Sequence, residues 1–227
     1  MSLKKTILKY FPINRYLSLK SYSQEGEDMV LRSFFEGQEN YKGFFVDVGA
    51  HHPYRFSNTL HFYQKGWRGI NIEPTPGAIK AFNRFRSKDI NLNIGISDRK
   101  DKLTFYCFNE PALNGFSKEL SEERNRTKNY HIIKELGVET YPLAEILDKH
   151  LPQGQKIDFL TIDVEGLDLQ VLKSNNWGKY KPSYILVEDK IDFTNLSDSE
   201  VYRYLEERGY KMVAKTQRTL FFKLQDL

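Results

Sequence analysis

The residues best suited to chemistry in this sequence are acids that stand where apolar runs end. Asp47 and Gly49 close the run 44–48, Glu73 follows 68–72, and Asp98 follows 90–94 across a short turn. Asp163 and Glu165 come after 157–162, and Glu188 after 184–187. Carboxylates so placed can accept hydrogen bonds from a ligand, take a proton, or share a divalent cation. Glu73 falls 24 residues after Gly49, close to the ~20-residue offset at which an acid accepts the hydroxyls of a ribose. The pattern therefore suits an adenosine-bearing ligand. A dinucleotide is a poor fit, because its pyrophosphate needs a G-x-G-x-x-G turn. Here Ala50, His51, His52 and Pro53 follow the lone Gly49. A P-loop, G-x-x-x-x-G-K-[ST], is absent as well.

These acids need a scaffold that brings their ends together. Short apolar, β-branched or aromatic runs at 44–48, 68–72, 90–94, 157–162 and 184–187 predict buried parallel strands. Helical stretches at 58–65, 78–86 and 167–174 separate them. A further helix runs to Arg208, with Ser197 and Glu200 forming an S-x-x-E capping box. Runs at 210–215 and 219–223 predict a closing hairpin. The alternation predicts one α/β domain: a seven-stranded, mostly parallel sheet with its last strand antiparallel and helices on both faces. Ligands of such sheets bind beyond the carboxyl ends of the strands. Residues 95–156 are too many for one crossover and read as an insertion. It has strands at 103–108 and 138–141, a loop at 111–115 and a helix at 143–150. The charged stretch 117–130, with Arg124, Arg126 and Lys128, reads either as a lid over the substrate cleft or as a solvated helix face.

Four ordered stretches carry a family resemblance: Ser23-Gln24-Glu25-Gly26-Glu27-Asp28, Val46-Asp47-Val48-Gly49-Ala50, Gly66-Trp67-Arg68-Gly69-Ile70-Asn71-Ile72-Glu73 and Ile162-Asp163-Val164-Glu165-Gly166. Over roughly residues 22–223 the chain resembles the FkbM family of S-adenosylmethionine-dependent methyltransferases. The resemblance implies a Rossmann-like class I fold, S-adenosylmethionine as cofactor, and O-methylation of a sugar, glycan or polyketide-type hydroxyl. Matched onto this chain, Asp47, Gly49 and Ala50 would border the methionine end of the cofactor, with Asp163 close by. Glu73 would take the ribose hydroxyls and Asp98 the adenine amino group, while Gln24 and Asp28 would close over the cofactor. Asp28 has a plainer reading, as an acid in the first turn of a helix beginning near Glu25. Many members carry Asn and Gly where this chain has His51 and Pro53.

Methyl transfer to a hydroxyl requires alignment and removal of one proton. Asp163 or Glu165 can serve as the base, or Asp163, Glu165 and Glu188 can hold a divalent cation that acidifies the hydroxyl. His51 and His52 are rival bases, or else residues that shape the loop.

Composition narrows the remaining choices. The single Cys107 excludes an internal disulfide framework and a Cys-based zinc site, and points to a reducing, cytoplasmic setting. Net charge is only +4, and no basic run is interleaved with aromatics, so nucleic acid is not an expected partner. A small-molecule or glycan acceptor is expected instead. A nucleic-acid methyltransferase and a non-catalytic cofactor-binding module are the alternatives. Residues 1–24 form a basic lead-in with five basic residues and no acid. Its contact with a membrane is at most peripheral, through residues 1–20. With 14 Tyr among 227 residues, some tyrosines are expected to face the cleft. Composition does not fix the oligomeric state.

Overall fold

A computed structural model of the chain describes residues 18–38 and 40–225. Its main sheet has the strands β1 (Phe44–Val48), β2 (Arg68–Ile72), β3 (Ile90–Leu92), β7 (Phe159–Ile162), β8 (Tyr184–Glu188), β9 (Tyr210–Lys215) and β10 (Thr219–Leu224). Their spatial order is β3-β2-β1-β7-β8-β10-β9, and β10 runs antiparallel to both its neighbours. This is the Rossmann-like class I methyltransferase arrangement, with the last strand reversed. The helices are α1 (Glu27–Ser33), α2 (Leu60–Gln64), α3 (Ala78–Phe85), α4 (Lys118–Asn125), α5 (Leu143–His150), α6 (Asp168–Lys173) and α7 (Glu200–Glu206).

Strand residues alternate between two cores. Val46, Val48, Ile70, Ile72 and Leu160 pack on one face against α5, α6 and α7. Phe45, Phe159, Leu186 and Phe221 pack on the other against Leu31 of α1 and Phe62 of α2. Both faces are covered, which is why the central strands read as unbroken apolar runs.

Register then sets up the site. Val48 is level with Ile72 on one side and Ile162 on the other, and Ile162 is level with Val187. The residues one step further, Gly49, Glu73, Asp163 and Glu188, therefore fall in one row at the carboxyl edge of the sheet. Strand order reverses between β1 and β7, the switch point at which such sheets open a crevice.

Three local expectations change. The run 90–94 splits: β3 ends at Leu92, and Gly95–Ile96 forms β4 in a second sheet of order β4-β6-β5. Asn93 marks the exit, its side-chain amide donating to the carbonyls of Glu73 (2.6 Å) and Thr75 (3.1 Å). In the insertion, β5 (Asp101–Phe108) pairs with the ten-residue β6 (Ile132–Tyr141), much longer than the expected 138–141. The cap of α7 is Ser199, whose hydroxyl accepts from Tyr202 N at 2.9 Å. Ser197 lies in a 3-10 turn, Phe193–Asp198, that precedes the helix.

Among the described residues no helix is long and apolar enough to cross a membrane. The peripheral contact expected of residues 1–20 falls almost wholly outside the described residues.

Candidate active site

The crevice at the switch point is a cleft whose empty space, open solvent at its mouth included, is about 740 Å³. Asp47, Glu73, Asp163 and Glu165 line it together with Gln24, Gly49, Ala50 and His51, and no Lys or Arg is among its lining residues. Fixed dipoles and carboxylates without a cation favour a positively charged ligand group over a phosphate.

Gly49 makes the crevice possible. Its φ is +83°, and a Cβ there would lie 1.8 Å from the Asp163 carbonyl oxygen. The glycine thus serves the close approach of two loops, after β1 and after β7. Its N–H donates to Ile72 O (3.0 Å), as does that of Ala50 (3.1 Å), tying the turn to β2.

Glu73 is buried, yet its carboxylate edges the cleft. One oxygen accepts from His51 N and the other from Thr75 N, both at 2.7 Å. Each carboxylate oxygen has two lone pairs, so capacity remains for a pair of hydroxyls. Burial holds the Glu73 carboxyl above its usual range, against the pull of those N–H donors.

His51 delivers its N–H to Glu73 from a left-handed conformation, φ 52°. Asn, Asp and His enter that region more readily than other side chains, so the residue type suits the turn. Its Nε2 is buried without a hydrogen-bond partner among the described residues. Burial, with Arg55 beside it, pushes the imidazole down to about 4, so it is neutral near pH 7. His52 shapes the loop: its Nδ1 accepts from Tyr54 N (3.1 Å) and Arg55 N (3.0 Å).

Asp47 accepts from Thr59 Oγ1 at 2.8 Å, and Thr59 in turn accepts from the fully buried Arg86 at 3.2 Å. Burial raises the Asp47 carboxyl to about 6, with Thr59 and Arg86 pulling the other way.

The far wall carries three acids. Oxygens of Asp163, Glu165 and Glu188 lie within 4.8 Å of one another. Arg124 of α4 pairs with Glu165, and Lys190 with Glu188 at 3.3 Å. Asp163 has no such partner among the described residues. Asp163 is an exposed residue that lines the cleft. Desolvation by the surrounding protein first, then repulsion from Glu188, Glu165 and Asp168, holds its carboxyl well above the usual range against the pull of Lys190. Charge balance by two cations leaves this trio adequately explained without a metal.

Two expected cofactor residues lie elsewhere. Asp98 is exposed, bonded to Ser97 Oγ at 3.1 Å, and outside the cleft lining, because the chain leaves the main sheet at Asn93 before reaching it. Asp28 is fully buried in the first turn of α1 and also outside the lining. It accepts from Ser21 Oγ (2.6 Å), Tyr22 N (2.8 Å) and Ser23 Oγ (2.8 Å). It thereby fixes the segment that carries Gln24, which does line the cleft. The aromatic lining is Phe56, Phe105 and Phe116 rather than tyrosine.

Asp168 and Asn58 had no functional reading in the sequence. Asp168 accepts from Val164 N and Gly166 N, both at 3.1 Å, and so moulds the loop that presents Asp163 and Glu165. Burial raises it to about 7. In the sequence it is only an acid opening a helix, a common feature. Asn58 donates to Thr161 Oγ1 at 3.0 Å on the cleft floor.

The profile of the Methyltransferase FkbM domain matches residues 47–212, most of the chain and every strand-end acid above. The chain belongs to the FkbM methyltransferase family. No curated protein matches this FkbM methyltransferase. Among solved structures it is similar to a precorrin-6y C5,15-methyltransferase from Geobacter metallireducens, at 13% identity over 92% of this chain and 93% of that one, with a TM-score of 0.45.

Proposed function

We propose that this methyltransferase uses S-adenosylmethionine and methylates a hydroxyl of a sugar or glycan. The carrying observation is the cleft's charge: four carboxylates and no lysine or arginine, at the switch point of the sheet. S-Adenosylmethionine brings a sulfonium, an ammonium and a ribose diol but no phosphate, so this lining fits it. Glu73 would hold the ribose hydroxyls, Asp47 and the Gly49-Ala50 turn would border the methionine end, and the unpartnered His51 Nε2 would meet a polar group of the ligand. Bound there, the cofactor would supply a methyl group already activated on sulfur, with the neutral thioether as leaving group.

The chain's own task is to orient the acceptor and receive its proton. Asp163 takes that proton, because Glu165 and Glu188 are already engaged by Arg124 and Lys190. Arg124 also donates to Leu113 O at 3.1 Å, so it ties the insertion to the catalytic loop.

Titration calorimetry with S-adenosylmethionine tests the cofactor reading. Wild type should bind, and Glu73→Ala should bind about tenfold or more weakly, since it loses hydrogen bonds to a charged acceptor. Absence of binding by wild type would remove the reading; equal binding by the variant would remove only the ribose role. Labelled cofactor incubated with sugar nucleotides, lipid-linked glycans and RNA tests the acceptor class, and transfer to RNA alone would overturn it.

A further inference from the structure

A second cavity, about 1220 Å³ including its mouth, opens beside the cleft and shares Gln24, Phe56 and Ala112 with it. The two differ in charge. The cleft carries acids alone, whereas Arg55, Lys190 and Arg218 line the second cavity against Glu110 and Asp192. The three cations arrive on separate segments: the loop after β1, the loop after β8 and the turn between β9 and β10. Convergence of three segments on one space is a property of the fold and not of a local basic run.

Each cation rests on one carboxylate. Arg55 meets Glu110 at 2.8 Å, Lys190 meets Glu188 at 3.3 Å and Arg218 meets Glu25 at 3.2 Å. The cationic side chains are 45%, 53% and 42% exposed. An arginine has five N–H donors and a lysine three. Each cation can therefore keep its carboxylate and present its remaining donors to an arriving anion. Between the two cavities stands Phe56, held at φ 56°, a left-handed conformation that is rare for a bulky side chain. The Arg55 guanidinium lies 4.4 Å over its ring. Tyr130, 39% exposed, offers a second aromatic face in the cavity wall.

We infer that this cavity receives the methyl acceptor, and that the acceptor is a sugar derivative bearing an acidic group, phosphate or carboxylate. The anion sits on Arg55, Lys190 and Arg218, the ring lies against Phe56 and Tyr130, and a hydroxyl extends past Gln24 toward Asp163. This assignment rests on the methyl-transfer reading of the adjoining cleft.

The test is titration of the full chain near neutral pH with glucose 1-phosphate, glucuronate and glucose, alongside S-adenosylmethionine as a separate ligand. At least one acidic sugar should bind about tenfold or more tightly than glucose, as charge-assisted contacts require. Which acidic sugar is preferred distinguishes phosphate from carboxylate. The double variant Arg55→Ala/Arg218→Ala should lose that preference while keeping its affinity for S-adenosylmethionine. Should the double variant fail to fold, the single variant Arg218→Gln is read in the same way. The inference is overturned if glucose binds as well as both acidic sugars. It is equally overturned if none of the three binds at about 20 mM, or if the variants keep the preference. Failure of wild type to bind S-adenosylmethionine is a different result, and it strikes the methyl-transfer reading itself.

Discussion

Asp163, unlike Glu165 and Glu188, has no ion-pair partner among the described residues, and that difference sets a measurable pH dependence. A general base must be ionised, and a base whose carboxyl lies well above its ordinary range loses its proton closer to neutrality. Turnover by wild type should therefore rise with pH above the usual carboxylate range and then level off. Asp163→Asn should lower turnover by about 10²–10⁴-fold, the range for removal of a general base, and should flatten that rise. Affinity for S-adenosylmethionine should fall much less than turnover, because the proposed ribose contacts are assigned to Glu73. A rise centred near pH 4 that survives in Asp163→Asn would assign the base to His51 instead, since burial holds that imidazole at about 4.

Among the elements, α1 shows how an acid serves the site without entering it. Asp28 gathers Ser21, Tyr22 and Ser23 around one buried carboxylate, and Gln24 follows directly into the cleft wall. Asp28→Ala leaves the half-buried Tyr22 N–H without its acceptor and removes two hydroxyl contacts, a loss of roughly 1–3 kcal/mol. Urea unfolding should show a lower midpoint with an unchanged slope, and an unchanged midpoint would refute the anchoring role. The strands and most helices were readable in the sequence, because two-sided burial writes continuous apolar runs. So were Gly49, Glu73 and Asp163, because each stands one residue past such a run. Asp98 misled for the same reason: the run 90–94 looks unbroken, and only the bonds of the Asn93 side chain show the chain leaving the sheet. Arg86 and the Arg124–Glu165 pair act through contacts between distant segments, which no local pattern records, whereas Asp168 bonds within its own loop and in the sequence is only an acid opening a helix.

At the scale of the whole molecule, a chain of net charge +4 gathers five raised acids around one edge of the sheet, with a sixth, Asp89, at the amino edge beside β3, and this opposes folding as pH rises. Asp47 at about 6 and Asp168 at about 7 bind protons in the folded state that the unfolded chain has already released. Glu73, Asp163 and Glu188 are raised in the same sense. For a raised acid, stability is fully present below the unfolded pKa and is lost as pH climbs through the folded one. The histidines oppose this at lower pH: His51, at about 4, is lowered, as are His52, His61 and His150. Their contribution makes stability grow with pH, and it is complete only about one unit above the ordinary histidine value of about 6.5. From about pH 7.5 to 8.5 the raised acids act without that opposition. The ligand-free protein should thus have a lower Tm at about pH 8.5 than at about pH 7.5. S-Adenosylmethionine, whose cationic groups favour the ionised carboxylates, should raise Tm more at the higher of these two pH values. Differential scanning calorimetry at both pH values, with and without the cofactor, measures both effects. A ligand-free Tm that rises over this interval would show that the acids are not held above their ordinary range in solution.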